Sequence, residues 1–186
     1  MKFTELLTLE NIRQGLICSS KKHVFEVIGR IIAPELEDQE LDCECCFHSL
    51  FSREKLGNSG LGNGIAMPKG RLIDGDSPIA VFLQLSNPVD YDAADKREVD
   101  LVFALLVPSE VCTTFSQSVL PQLAEKLTDK TLCKQLRAAQ SAEEIWQIFE
   151  YADLHNQSEE ESEVKNEKEE EVLEQSEEIA ELKLTE

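Results

Sequence analysis

The sequence is short of positive charge and contains no long apolar run. Its 18 lysines and arginines stand against 37 aspartates and glutamates, so 186 residues carry a net charge of −19. A chain this acidic is repelled by phosphate backbones and by anionic lipid, so nucleic acids and membrane surfaces are poor candidate partners. No hydrophobic run approaches the roughly 20 residues that cross a bilayer, and we expect no membrane insertion.

Regular cysteine spacing is missing as well. The six cysteines lie at irregular intervals, and the first ten residues lack the apolar core of a secretion signal. Disulfide frameworks belong to secreted proteins, whereas the cytoplasm keeps thiols reduced. We therefore expect free thiols and a cytoplasmic protein.

A cluster of three cysteines and one histidine is a candidate metal-binding site. Cys43, Cys45, Cys46 and His48 lie close together on a segment with helical character. On a helix, residues 43 and 45 point about 200° apart, so they cannot share a tetrahedral site. Small buried thiols on an amphipathic helix explain the pattern better. We predict no metal and no cofactor.

Glycine is concentrated in one stretch, residues 57–71, which reads GNSGLGNGIAMPKGR and holds five of the eight glycines. Glycine serves where the backbone takes a positive φ or approaches another group closely. Because the stretch ends in Pro68 and Lys69, we expect a loop that places Lys69 at a surface. The spacing of its glycines is not that of a dinucleotide-binding loop.

Two helices are expected before the glycine stretch. Ser19 or Ser20 caps the first, its apolar residues repeat at i, i+3, i+4 and i+7, and Pro34 ends it. The second is expected over Gln39 to Arg53, which brings Arg53 to the start of the loop. The inward positions of the second helix are predicted to be Leu41, Cys45, Leu50 and Phe51.

Continuous apolar runs predict strands that are covered on both faces. They are Ile79 to Leu85, bounded by Pro78 before it and Asn87-Pro88 after it, and Val99 to Val107. A third strand is expected over Gly64 to Pro68. Strands interleaved with helices indicate an α/β layered domain.

Three further helices are expected after residue 107. The first runs from Val119 to Leu127, with Pro121 in the tolerated first turn. Asp129 caps the second, and Ser141 with Glu144 forms a capping box at the start of the third.

The segment Arg53-Glu54-Lys55 followed by GNSGLGNGIAMPKGR resembles the active-site region of phosphotransferase-system enzyme IIA proteins. The resemblance is to the nitrogen-regulatory type, related to the fructose and mannitol IIA domains. It covers residues 1–154 and implies an α/β fold, a mixed β-sheet flanked by helices on both faces. Residues 155–186 are then a Glu-rich acidic tail, disordered or marginally helical, which either adds solubility or binds a partner or the chain's own cations.

The resemblance also assigns site residues. In the family the residue after the proline is a histidine that accepts a phosphoryl group, and here that residue is Lys69. A second histidine beside the acceptor corresponds to Gln117, with a register that depends on a variable loop. Arg53 corresponds to the phosphate-contacting arginine. The remaining candidates for an anion-receptive surface are Arg71 and the loop residues Gly62, Asn63 and Gly64.

Lysine is a poor phosphoryl acceptor. With a reference pKa of about 10.4, only roughly one molecule in a few thousand carries a free amine at pH 7, a penalty of about 4–5 kcal/mol. The remaining histidines, His23, His48 and His155, lack the glycine-rich and proline-preceded setting. Both histidines of the family's site are therefore expected to be missing.

Three functional hypotheses follow. The preferred one is a regulator that binds cytoplasmic proteins, such as an HPr-like phosphocarrier, transport regulators or sensor kinases, without being phosphorylated at the usual site. The alternative is a working phosphocarrier that accepts a phosphoryl group from a phospho-HPr-type donor. A small-molecule sensor on the same scaffold is the third, and a closed apolar pocket would favour it. Lys69 and Arg53 either engage an anion on a partner or are solvated loop charges.

Overall fold

The computed structural model describes residues 1–35, 39–72, 77–110 and 112–155. The chain divides into two compact units, Met1–Glu150 and Tyr151–Glu186. In the second unit residues 151–155 are helical, and the rings of Tyr151 and His155 lie 4.3 Å apart. The acidic tail beyond residue 155 lies outside the described residues, so its predicted disorder and the predicted boundary after residue 154 stay predictions.

A mixed β-sheet forms the centre of the first unit. Its strands are β1 (Ile12–Leu16), β2 (Gly60–Gly62), β3 (Ile65–Ala66), β4 (Lys69–Leu72), β5 (Ile79–Val89) and β6 (Val99–Pro108). The order is β1-β5-β6-β3-β2, and β4 also pairs with β6. The β1–β5, β3–β6 and β4–β6 pairs are parallel, whereas β5–β6 and β2–β3 are antiparallel.

Helices cover both faces of this sheet. They are α1 (Lys21–Ile32), α2 (Gln39–Leu56), α3 (Cys112–Ser118), α4 (Leu120–Leu127), α5 (Lys130–Ala138) and α6 over residues 142–150, with 3-10 turns at Phe3–Glu5, Leu9–Asn11 and Ala33–Glu35. The predicted caps are present: Ser20 accepts from the His23 amide, and Asp129 from the Leu132 amide. Ser141 accepts from the Glu144 amide, while the Glu144 carboxylate accepts from the Gln140 amide.

Successive residues of a strand point to opposite faces of the sheet, so the apolar residues of β5 and β6 contribute to a hydrophobic core on each face. On one face Val81 and Val102 pack with the apolar residues of α1 and α2. On the other face the rings of Phe82 and Phe103 meet Phe3 and Phe149, with centroids 4.8 to 6.0 Å apart. The predicted fold class is therefore confirmed.

Several element boundaries differ from the prediction. The second helix continues past Arg53 to Leu56. Strand β5 continues through Asn87 and Pro88 to Val89, because the pairing with β6 is irregular between Gln84 and Val89 and proline is tolerated at such a bulge. Of the predicted inward side chains of α2, Leu50 is buried, and Cys45 and Phe51 are half-buried. Leu41 is among the residues whose side chains are not described.

The predicted strand from Gly64 to Pro68 is the largest correction. The chain forms two short strands along β6, with Ile65 opposite Leu101 and Lys69 opposite Leu105. Pro68 interrupts them because it has no amide hydrogen, although its carbonyl accepts from the Leu105 amide at 2.9 Å. Lys69 therefore begins a strand instead of lying in a loop.

Candidate functional site

Lys69 is placed by strand β4 and by helix α2, which lies against that strand. Gly70 faces the core, where a Cβ atom would come within 3.3 Å of the side chains of Leu50 and Leu106. This close approach holds α2 against β4, and Arg53 follows Leu50 by about one helical turn. Lys69 and Arg71 alternate with Gly70 and so point to the outer face of the strand.

The side chain of Lys69 is half-buried, and its surroundings lower its pKa. Burial is the larger cause and the positive charge of Arg53 is the second, while Cys112 and Glu54 act in the opposite direction. Arg53 itself donates from Nη1 to the carbonyl of Gly57 at 3.3 Å. The structure thus brings the two predicted cations, Arg53 and Lys69, into one electrostatic environment.

Glu54 is a carboxylate that acts on Lys69, and its Oε1 has two other partners. It forms an ion pair with Lys21, its side chain is only 8% exposed, and its Oε1 accepts from the Ser59 amide at 3.0 Å. Lys21 therefore competes with Lys69 for the charge of Glu54. This arrangement leaves the Arg53–Lys69 surface net positive.

A buried tyrosine anchors the start of the glycine stretch. The hydroxyl of Tyr91 lies 2.8 Å from Ser59 Oγ, and burial raises the pKa of Tyr91, so the phenol is neutral. Lys21 Nζ lies 4.2 Å from the centroid of the Tyr91 ring and donates to its carbonyl at 3.2 Å. Asn58 Nδ2 donates to the same carbonyl at 2.9 Å. These contacts fix the path of the chain between α2 and β2.

The predicted nest at Gly62, Asn63 and Gly64 is a tight turn between β2 and β3. Asn63 and Gly64 have φ of 54° and 81°, the values of the two-residue hairpin turn that Asn-Gly favours. The Asn63 amide donates to Asp95 Oδ2 at 2.8 Å and lowers the pKa of that carboxyl. The anion at this turn is therefore a side chain of the protein itself.

The turn and Lys69 do not share a site. Ile65 and Lys69 pair with Leu101 and Leu105 of β6, which are four residues apart. At about 3.3 Å per residue this is about 13 Å along the sheet. The predicted anion-binding residues thus fall into two groups, with Arg53, Lys69 and Arg71 in one, and the residues of the turn in the other.

Gln117 lies on α3 and is exposed. The α3 residue that acts electrostatically on Lys69 is Cys112, five positions earlier. Five helical residues correspond to about 140° of rotation, so Gln117 and Cys112 point in different directions. Arg71 is exposed, and its backbone amide donates to Ser49 Oγ of α2 at 2.6 Å. The functional roles of Gln117 and Arg71 stay predictions.

Histidines and cysteines elsewhere have local partners. His23 Nδ1 accepts from the Ser19 amide at 3.2 Å, and His48 Nε2 lies 3.4 Å from Glu44. Cys46 is buried and Cys45 is half-buried, while the side chain of Cys43 is not described. Over the described ranges, no three His, Cys, Asp or Glu side chains are grouped as metal ligands. None of the helices in those ranges is long and apolar enough to cross a membrane.

The fold and the glycine stretch agree with a match to a protein-family model. Residues 5–152 match the family described as phosphoenolpyruvate-dependent sugar phosphotransferase system, EIIA 2. The chain belongs to this family. Enzyme IIA proteins of the nitrogen-regulatory kind are among its relatives.

A nitrogen regulatory protein homolog from Haemophilus influenzae is 56% identical over 155 residues, which are 82% of this chain and 93% of that protein. The crystal structure of the nitrogen regulatory protein IIA-Ntr from Neisseria meningitidis matches with a TM-score of 0.70 and 37% identity, covering 78% of this chain and 97% of that one.

A third similarity concerns the fold alone. Enzyme IIAMTL from Escherichia coli, in its complex with phosphorylated enzyme IIBMTL, matches with a TM-score of 0.60 and 22% identity, over 77% of this chain and 98% of that one. The family membership supports the resemblance on which the site residues were assigned. Two groups that the pattern alone did not connect with Lys69, Glu54 and Cys112, also act on its pKa.

Proposed function

We propose that this enzyme IIA-family protein is a nitrogen-type regulator that acts by binding other proteins and is not phosphorylated at Lys69. The observation that carries the proposal is that a lysine, Lys69, follows Pro68, the position at which the resemblance implies the family's acceptor histidine, and that the charge of Arg53 acts on its pKa. An imidazole is neutral and nucleophilic near pH 7, whereas an ammonium has no free electron pair.

The surroundings of Lys69 do not remove this barrier. Burial and Arg53 lower its pKa, but the side chain is only half-buried and two acidic groups, Cys112 and Glu54, act against the shift. Lysine also cannot imitate a phosphorylated histidine, because phosphorylation adds about −1.5 to −2 of charge and lysine carries +1. The protein would therefore present one permanent state to its partners, the unphosphorylated one.

The binding surface consists of Arg53, Lys69 and Arg71, with Ser49 beside them. These cations stand out on a chain with a net charge of −19, and they suit a carboxylate or phosphate on a partner. Candidate partners are cytoplasmic proteins of the kinds named above: an HPr-like phosphocarrier, transport regulators or sensor kinases. The complex of enzyme IIAMTL with phosphorylated enzyme IIBMTL supports a protein partner for this fold.

The second candidate function is a working phosphocarrier, and the lowered pKa of Lys69 favours it. In that reaction Nζ loses a proton, attacks the phosphorus atom and forms a P–N bond, while the bond from phosphorus to the donor breaks. The free amine required for this attack becomes more abundant as the pKa falls.

The two functions are separated by phosphorylation in vitro. The wild-type chain, Lys69→Ala and Lys69→His are each incubated with a phospho-HPr-type donor, and their intact masses are measured. We expect no adduct on the wild type or on Lys69→Ala, and one phosphoryl group on Lys69→His if the donor-docking face is intact. A phosphoryl adduct on the wild type that disappears in Lys69→Ala would overturn the proposal in favour of the phosphocarrier.

Partner binding is tested separately. Calorimetric titration with an unphosphorylated HPr-like phosphocarrier should show weaker binding for Arg53→Gln and Lys69→Gln than for the wild type. Lys22→Gln removes the same charge from an exposed position on α1 and should bind like the wild type. Equal affinities for all four proteins would remove the proposed surface for this partner.

A further inference from the structure

A cavity of about 370 Å³ lies at the end of the sheet where β6 begins. The residues that matter for its chemistry are Asn63, Arg97, Thr128, Lys130, Lys134 and Arg137. Four of these six side chains are cations. Its volume lies in the range of small-molecule sites.

Helix α5 supplies three of the cations on one stripe. Lys130, Lys134 and Arg137 are spaced i, i+4 and i+7, which places them on one side of a helix. The opposite side of α5 carries Leu132 and Leu136, both buried, and the buried Cys133 lies at the edge of the stripe, where it also lines the cavity. The stripe must therefore face outward when the helix packs on the sheet.

The position of α5 is fixed by a buried glutamine on β5. Gln84 Nε2 donates to the carbonyl of Leu136 at 2.7 Å and to that of Ala139 at 3.0 Å. Its Oε1 accepts from the amide of Gly15 at 3.1 Å. Buried hydrogen bonds of this kind hold a helix in register, so the stripe of cations is preorganised.

Arg137 forms the inner wall of the cavity. Its Nε and Nη2 donate to the two oxygens of Asp100 at 2.7 Å each, and Nη2 also donates to the carbonyl of Asn63 at 2.7 Å. The hydrogen bonds to Asp100 raise the pKa of Arg137, which keeps it charged. Gly64 makes room for this arrangement, because a Cβ atom there would lie 2.8 Å from Arg137 Nη2.

The other three cations of the cavity are not neutralised in the same way. Arg97 donates to Asn63 Oδ1 at 3.2 Å, and the acidic side chain beside it is Asp95, which already accepts from the Asn63 amide. Within the described residues, neither Lys130 nor Lys134 forms an ion pair. Asp129, the N-cap of α5, is a third carboxylate close to the cavity. Four cations against Asp95, Asp100 and Asp129 leave a small positive excess inside a strongly acidic protein, an arrangement that an anionic ligand would stabilise.

We propose that this cavity binds a small polyanion, either a phosphorylated or a polycarboxylate metabolite. The stripe on α5 and Arg97 supply the charge, and the side-chain NH2 group of Asn63 supplies an additional donor. The Thr128 hydroxyl already donates to the Glu125 carbonyl at 2.8 Å. Asp100, which pairs with Arg137 of the cavity, and Leu105, which pairs with Lys69, are five residues apart on β6, or about 17 Å. The site is therefore separate from the Lys69 surface and does not depend on the function proposed for it.

The test is a titration of the full-length protein with pyrophosphate and, separately, with citrate. Calorimetry gives the Kd, and each titration is repeated with sodium chloride at the same ionic strength. We expect saturable binding of at least one of the two probes, and the preferred probe distinguishes a phosphorylated ligand from a polycarboxylate. We expect Lys130→Gln/Lys134→Gln to weaken it at least tenfold, because roughly two charge-assisted contacts are lost.

The matched control is Lys22→Gln/Arg30→Gln, which removes two exposed cations from α1. It should keep the wild-type Kd, and circular dichroism should show that both double variants are folded. The proposal is overturned if neither probe binds beyond the chloride control. It is also overturned if the two double variants lose affinity equally, since that result would show a diffuse effect of net charge.

Discussion

Arg137 and Asp100 form a two-pronged ion pair, with both hydrogen bonds at 2.7 Å, that joins α5 to the start of β6. The side chains are 36% and 23% exposed, so solvent screens part of the attraction. The third hydrogen bond of this arginine, to the carbonyl of Asn63, extends the connection to the turn between β2 and β3. One guanidinium group therefore links a helix, a strand and a hairpin.

This relationship predicts the effect of Asp100→Asn. The change removes one charge and one acceptor of the pair while keeping the side-chain volume. We expect the free energy of unfolding to fall by about 1–2 kcal/mol, as for a charge-assisted hydrogen bond with partial exposure. Urea denaturation measures it.

Asp92→Asn is the matched control for this prediction. Asp92 also faces a cation, Lys96, but at 3.9 Å and with both side chains more than 80% exposed. We expect it to change stability by less than about 0.5 kcal/mol. Equal effects of the two substitutions would show that the Arg137–Asp100 pair contributes no more than an ordinary surface pair.

Gly64→Ala is expected to be among the more damaging substitutions of the glycine stretch. Gly64 has φ of 81°, and a Cβ atom would lie 2.8 Å from both Arg137 Nη2 and Asp100 Oδ1. Backbone strain and displacement of the ion pair together should cost about 2–3 kcal/mol of stability. Thermal and urea unfolding both measure the loss.

Gly57→Ala is the comparison within the same stretch. Gly57 has no positive φ, and the nearest atom to an added methyl group would be Arg53 Nη1 at 3.7 Å, an ordinary contact. Its stability should stay within about 0.5 kcal/mol of the wild type. A Gly57→Ala variant as unstable as Gly64→Ala would contradict the strain argument.

Tyr91 and Ser59 should be coupled in a double-mutant cycle. Their hydroxyl groups lie 2.8 Å apart and the tyrosine is fully buried. We expect Tyr91→Phe and Ser59→Ala each to cost about 1 kcal/mol, with an interaction energy of similar size. Additive effects of the two changes, measured by urea denaturation, would show that the hydrogen bond contributes nothing to stability.

The sequence predicts the central strands well, because β5 and β6 contain the continuous apolar runs that are typical of strands buried on both faces of a sheet. It does not predict β1, whose residues Arg13, Gln14 and Gly15 carry no apolar alternation. That strand exists because it pairs in parallel with β5, a long-range contact that local pattern does not encode. Strand β2 is equally hidden, since GLG has too few side chains to show a period.

The site is predictable only in part for the same reason. Pro68 and the glycines mark the stretch, and the resemblance selects Arg53 and Lys69. Lys21 lies 70 residues from its acceptor carbonyl on Tyr91, and no spacing rule connects them. The pattern therefore shows which cations are present, but the fold determines that Lys21 pairs with Glu54.

The lowered pKa of Lys69 predicts its reactivity toward an amine-selective reagent such as an acyl ester. Only the neutral amine reacts, and lowering the pKa increases the neutral fraction at any pH below the usual lysine range. At any pH below the usual lysine range, Lys69 should be labelled to a greater extent, per unit of exposed surface, than the lysine of a short unstructured reference peptide. Peptide mass spectrometry at several pH values gives the midpoint for each lysine.

Arg53→Gln tests the cause of this shift, and its sign follows directly. Burial and the Arg53 charge both lower the folded-state pKa of Lys69, so removing Arg53 should move the labelling midpoint of Lys69 upward. The pKa of Lys69 is lower in the folded state than in the unfolded state. At pH values between these two pKa values the unfolded chain binds more protons than the folded chain, so the contribution of Lys69 to the free energy of unfolding rises with pH over this range. The rise should be smaller in Arg53→Gln than in the wild type. If the midpoint of Lys69 is the same in Arg53→Gln as in the wild type, the two cations do not interact, and the Arg53–Lys69 surface loses its physical basis.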